Sequence, residues 1–186
     1  KKFSISKIDD AMNYMSKGEH YGKIILEVDD FKPKEVLYDN FIFDPTKYYL
    51  ITGGNSEFSL KLVEWMITKG GNKFLLLSRS GIPKNEILYQ KICKESEIIN
   101  LICDITDKLK LKDIIDKYEI DGYFHTANVY NDKINKEYNQ EDINQIWNPK
   151  AIGMKNLDEI TRDKNNYTYM LAFTSISGYL GNYGQS

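Results

Sequence analysis

The sequence predicts an α/β fold: a parallel sheet with helices on both faces. Two observations carry that prediction. Short runs that are apolar throughout, instead of alternating apolar and polar, recur along residues 48–174, as expected of strands buried on both sides. Each run is followed by a stretch of helical period and then by turn residues, the order that builds parallel sheets.

Residues 48–79 hold the clearest unit. Tyr48-Tyr49-Leu50-Ile51-Thr52 reads as a strand, and Gly53-Gly54-Asn55-Ser56-Glu57-Phe58-Ser59 reads as a turn into a helix. The helix shows Leu60, Val63 and Ile67 on one face, stops at Gly70-Gly71, and gives way to the strand Phe74-Leu75-Leu76-Leu77. Strand, glycine turn, helix and strand in that order form the first half of a Rossmann-type dinucleotide site. Thr52, Gly53, Gly54 and Ser56 line the turn that would face a pyrophosphate at the helix N-terminus. Arg79 follows the second strand, where an acidic residue would favour NAD; a cation suits the 2′-phosphate of NADP. Glu57 and Ser59 stand where such turns carry further glycines. Their bulk, and the Glu57 charge at a positive helix end, predict weak or lost cofactor binding.

The rest of the chain extends the pattern. A turn at residues 80–83 leads to a helix ending near Lys94, then a strand over 98–102 and a helix over 109–118. A strand over 122–125 comes next, then a long helical region to about Ile160 that is interrupted near Pro149. The last strand spans 169–174. Right-handed crossovers predict five strands in the order 3-2-1-4-5. Ahead of this unit, residues 3–28 predict a helix, with Ile8, Ala11, Met12 and Met15 on one face, and a strand around Ile24-Ile25-Leu26 that has no sheet to join. Residues 29–47 are polar, contain Pro33 and Pro45, and read as a linker whose Phe41-Ile42-Phe43 packs on the following domain.

Composition narrows the function classes. A net charge of −2 gives no electrostatic case for nucleic acid or an anionic membrane, and no apolar run approaches the length of a membrane span. Cys93 and Cys103 have no CxxC spacing and read as buried, reduced thiols. His20 and His125, the two histidines, have no partners at metal-ligand spacing; His125 reads as a half-buried strand end.

Three segments carry a resemblance. Ser78-Arg79-Ser80-Gly81, Cys103-Asp104-Ile105-Thr106-Asp107, and the run from Phe173-Thr174-Ser175 through Gly181-Asn182-Tyr183-Gly184-Gln185 resemble the ketoreductase domain of polyketide and fatty-acid synthases, which is related to short-chain dehydrogenases/reductases. The resemblance covers about residues 44–186. It implies NADPH as cofactor and a β-ketoacyl thioester on acyl-carrier protein as substrate, with neighbouring synthase domains as partners and a cytoplasmic setting. It makes Ser175 the group that holds the ketone oxygen, Lys150 the active-site lysine, Arg79 the 2′-phosphate contact with Ser80 beside it in the cofactor site, and Asp104 the adenine contact. Ala127 and Asn128 fall in the loop along the nicotinamide ribose, although the family has glycine at the Asn128 position. On the residues alone, Ser175 also reads as a turn cap, Lys150 as a solvated helix lysine, and Asp104 as the N-cap of the next helix. Residues 1–28 resemble the C-terminal tail of an enoyl reductase domain, so the expected division is 1–28 tail, 29–47 linker and 48–186 ketoreductase.

In the family the tyrosine acid and a following asparagine come just beyond the position of Gln185, and no tyrosine here has Lys or Asn four residues later. The expectation is therefore a fragment, with a sheet incomplete at the C-terminus, inactive as given and prone to self-association at its open edge. The alternative is a non-catalytic structural remnant or an NADP-binding module.

Overall fold

Three residues at the start of the chain, Lys2–Ser4 (β1), pair in parallel with Ile25–Glu27 (β2), and the helix Ile8–Ser16 (α1) lies between them in the chain. The expectation of a helix–strand pair without a sheet is thus corrected. β1 is too short to show a period, and its pairing is reinforced by a Lys2–Glu27 ion pair at 2.5 Å. Of the apolar helix face only Ala11 is buried. The computed structural model describes residues 1–18, 20–28, 41–133, 137–164, 166–175 and 177–180, and the chain divides into the units Lys1–Phe41 and Ile42–Ser186. Residues 29–40 of the expected linker, and the final residues 181–186, lie outside the described ones.

In the second unit the strands are Tyr48–Thr52 (β3), Lys73–Ser78 (β4), Glu97–Ile102 (β5), Ile120–His125 (β6) and Tyr169–Ala172 (β7). They form one sheet in the order β5-β4-β3-β6-β7 with every neighbouring pair parallel. This is the expected 3-2-1-4-5 order. The helices are Glu57–Thr68 (α2), Glu86–Glu95 (α3), Lys108–Ile115 (α4), Gln140–Trp147 (α5), Gly153–Thr161 (α6) and the short Ser177–Leu180 (α7). A π-helical turn, Asn148–Ile152, joins α5 to α6. Pro149 has no N–H to give the helical ladder, which accounts for the interruption there.

Alternate residues of the apolar strands feed two cores. Tyr49, Ile51, Phe74 and Leu76 face α2 and α3 through Leu60, Val63, Met66, Leu88 and Ile92. Leu50, Leu75, Leu77 and Tyr123 face the other side, against Leu111, Ile114, Ile115, Leu157 and Ile160 of α4 and α6. Each such side chain contributes about 1.5–3 kcal/mol through burial.

The unit begins ahead of β3. Phe43 is 2% exposed, and its ring meets those of Tyr49, Trp65, Phe124 and Tyr169 at centroid distances of 5.0, 5.8, 6.3 and 5.7 Å. Its N–H donates to the Lys69 carbonyl at 2.8 Å. Of the expected packing trio, Phe41 and Ile42 are exposed. Cys103 is buried, but Cys93 lies on the exposed side of α3, which corrects the reading of both thiols as buried.

Candidate functional site

A parallel sheet puts the carboxyl ends of all its strands on one edge. Here the chain crosses to opposite sides of β3, so β3 and β6 flank the point where the strand order reverses, the place at which sheets of this kind hold their ligands. Along this edge lie Gly53 and Gly54 after β3, Arg79 and Ser80 after β4, Asp104 after β5, and Ala127 and Asn128 after β6. Ser175 lies three residues beyond the end of β7. Topology alone therefore gathers most of the expected site residues.

The two turn glycines are required by the protein's own packing. Gly53 has φ +66°, and a Cβ on it would lie 2.8 Å from Ala127 Cα. A Cβ on Gly54 would lie 2.8 Å from Leu76 Cα, because the turn folds back onto β4 with Gly54 N–H donating to Leu77 O at 3.0 Å. Ser56 caps α2, its Oγ accepting from Ser59 N–H at 3.2 Å. The N–H groups of Glu57 and Phe58 are left at the open end of the helix, where an anion is favoured.

Ser59 departs from its expected role. It is fully buried and points inward, donating to Gly53 O at 2.9 Å and sharing hydroxyl contacts with Ser56 at 2.7 Å and Thr126 at 2.6 Å. It braces the turn instead of crowding a ligand. Glu57 is exposed in the first turn of α2, so the charge argument applies to it alone.

Arg79 and Ser80 are both exposed, and Arg79 has no salt bridge among the described residues. Ser80 Oγ accepts from Ile82 N–H at 3.2 Å. Asp104 does not cap α4; Asp107 does, accepting from Lys110 N–H at 3.1 Å. The Asp104 carboxylate instead closes a local turn, accepting from Thr106 N–H at 2.9 Å and its hydroxyl at 2.7 Å. Asn156 of α6 pins this loop from below through bonds of 3.0 Å to the carbonyls of Ile105 and Thr106.

Thr52 is buried at the end of β3, its Oγ1 2.8 Å from His125 Nδ1 and 3.3 Å from Ala127 N. His125 is itself 4% exposed, more deeply placed than the expected half-buried strand end. Lys150 is exposed on the π-turn, with Nζ 6.0 Å from the centre of the Tyr130 ring. Ser175 is exposed, and its Oγ accepts from Ser177 N–H at 3.2 Å, so its turn-capping role is real. Sequence reasoning missed Asn55, Ser78 and Asn100, which form a polar cluster under the Arg79 turn; the asparagine beside the two glycines was the available signal. Among the described residues, no group of three or more His, Cys, Asp or Glu side chains could hold a metal, and no helix is long and apolar enough to cross a membrane.

Comparison with known proteins adds a lineage to this geometry. The family model described as "KR domain" matches residues 47–186. The chain is 28% identical to Highly reducing polyketide synthase 40 of Fusarium mangiferae, over 99% of this chain and 8% of that protein. It is 30% identical to Highly reducing polyketide synthase PKS2 of Leptosphaeria maculans, over 98% of this chain and 8% of that protein. The chain thus spans only 8% of the length of these curated relatives. Among solved structures, an N-terminal ketoreductase from a macrolactin assembly line superposes with a TM-score of 0.70 at 24% identity, covering 77% of this chain and 31% of that one.

Proposed function

The chain belongs to the KR domain family, matched over residues 47–186, and from that premise we propose that its sheet edge is an NADP(H) site of the kind that serves reduction of a β-ketoacyl thioester on acyl-carrier protein, with the chain as given inactive in that reduction because no tyrosine in it has the spacing of the family's acid. The observation that carries this reading is Arg79, an exposed cation without a salt bridge among the described residues, at the carboxyl end of the strand next to the glycine turn. That is where a 2′-phosphate is met in this type of site.

The donor set fits the cofactor. Arg79 and Ser80 take the 2′-phosphate, and the amides at the start of α2, with Gly53, Gly54 and Ser56, take the pyrophosphate. Asp104 accepts from the adenine amine, while Thr52, Ala127 and Asn128 border the ribose of the nicotinamide half. When bound, NADPH supplies the hydride. Ser175 would donate a hydrogen bond to the ketone oxygen, and Lys150 would hold a positive charge near the charge that develops there. The proton that completes the reduction is the role of the family's tyrosine acid, which no tyrosine of this sequence matches by its spacing to Lys or Asn.

The expected division into an enoyl-reductase-like tail (1–28), a linker (29–47) and a ketoreductase domain (48–186) belongs to the same proposal, with residues 42–47 moved from the linker to the ketoreductase side because Phe43 is buried in the second unit, and with neighbouring synthase domains as partners. It is supported by the separate compact unit Lys1–Phe41 and by multidomain relatives far longer than this chain.

Titration of NADPH and NADH fluorescence tests the proposal. Saturable binding that favours NADPH is expected, with the preference lost in Arg79→Ala. Equal affinity for the two cofactors, or a preference that survives Arg79→Ala, would refute it.

A further inference from the structure

Arg79 and Ser80 form the tip of a turn whose two ends are held from beneath by one polar ring. Ser78 Oγ accepts from Gly81 N–H at 3.0 Å and from Asn55 Nδ2 at 2.8 Å. Asn55 Nδ2 also donates to Asn100 Oδ1 at 2.9 Å, and Asn100 Nδ2 donates to Gly81 O at 2.7 Å, which closes the ring. The three side chains come from three places: the β3–α2 turn, the end of β4, and the middle of β5. Asn55 is 3% exposed, and its Oδ1 has no hydrogen-bond partner among the described residues. A buried acceptor left bare opposes folding, while the Nδ2 group of the same amide gives both its hydrogen bonds within the ring. Gly81 completes the clamp at φ +69°, with a would-be Cβ 2.9 Å from Ile102 Cγ1.

We infer that Asn55 and Asn100 are positioning residues that set selectivity for the 2′-phosphate by fixing the turn that carries Arg79; this rests on the NADP(H) reading above. Arg79 has a long, exposed side chain, and two parallel bonds to a phosphate need its backbone held in one place before the ligand arrives. The ring supplies that order. Without it the turn must be ordered on binding, and the cost falls only on ligands that use Arg79.

The test is a titration of the full chain with NADP+ and NAD+. Asn100→Ala is expected to weaken NADP+ binding about tenfold and to leave NAD+ within about twofold. In an Arg79→Ala background, Asn100→Ala should have no further effect on NADP+, because both changes act through one contact. Asn100→Ser keeps an acceptor for Asn55 but loses the Gly81 bond; it gives the same split and serves if Asn100→Ala does not fold. Equal weakening of both cofactors, or an effect that persists without Arg79, overturns the inference while the cofactor reading stands. An unaltered chain that binds neither cofactor overturns both.

Discussion

Thr52 Oγ1 and His125 Nδ1 lie 2.8 Å apart at paired positions on β3 and β6, buried at the carboxyl edge of the sheet. Nε2 of the same ring is buried with no hydrogen-bond partner among the described residues. Burial lowers the His125 pKa from its ordinary value, and the backbone groups of Lys150 and Pro149 only partly oppose that shift. The unfolded chain therefore binds the proton more readily than the folded one. Stability is unaffected by this group above about pH 6.5, the ordinary histidine value, and falls as the pH drops below it, by at most about 1.4 kcal/mol per pH unit. Thermal unfolding between pH 7 and 5 should show this fall, and His125→Asn should flatten it. An equal slope in the variant would place the titration elsewhere.

Gly53→Ala should destabilise the second unit. The substitution forces a left-handed φ on alanine, costing about 1–2 kcal/mol, and drives its Cβ against Ala127 backbone atoms. Urea unfolding should show a loss of roughly 2–4 kcal/mol with no cofactor present. A neutral result would mean that the turn does not lie against the β6 loop.

Much of this architecture is legible in the sequence because parallel strands are apolar on both faces. Leu50 and Ile51 feed opposite cores, and their run announces a strand whichever way each points. What stays hidden depends on distant partners. Ser59 looks like a lost glycine until its hydroxyl is seen to donate to Gly53 O and to touch the hydroxyl of Thr126, far along the chain. The run Phe41-Ile42-Phe43 marks a packing segment within a polar stretch, and Phe43 does pack there, but nothing local shows that it alone of the three is buried or that four rings enclose it. β1 is hidden by its length. At the site, the chain order of the turns suffices to put Arg79 and Asp104 at the carboxyl edge of the sheet, but the ring of Asn55, Ser78 and Asn100 requires the sheet to be assembled before it exists.

Phe43→Ala tests where the second unit begins. Removing a fully buried phenylalanine costs about 3–5 kcal/mol, whereas a linker residue would cost little. A shift in the urea midpoint of that size is expected, together with weaker hydrogen-exchange protection at Tyr49 and Phe124. A midpoint within experimental error of the parent would return residues 42–47 to the linker.

Glu57→Gln should tighten NADP+ binding by roughly two- to fivefold, the scale of one charge at a helix N-terminus, with the gain shrinking as salt is raised. Ser59→Gly should not help. It removes the hydroxyl that braces Gly53 and Thr126 and should cost about 1–3 kcal/mol of stability. Tighter binding in Ser59→Gly without loss of stability would restore the crowding argument.

The most direct test of the central claim is to map NADP+ onto the folded chain by amide chemical-shift perturbation. Binding at the carboxyl edge should move the resonances of Gly53, Gly54, Arg79, Asp104 and Ala127. Those of Lys73, Glu97 and Ile120, at the opposite ends of their strands, should stay in place. Shifts confined to the amino edge, or no shifts at saturating NADP+, would contradict the account.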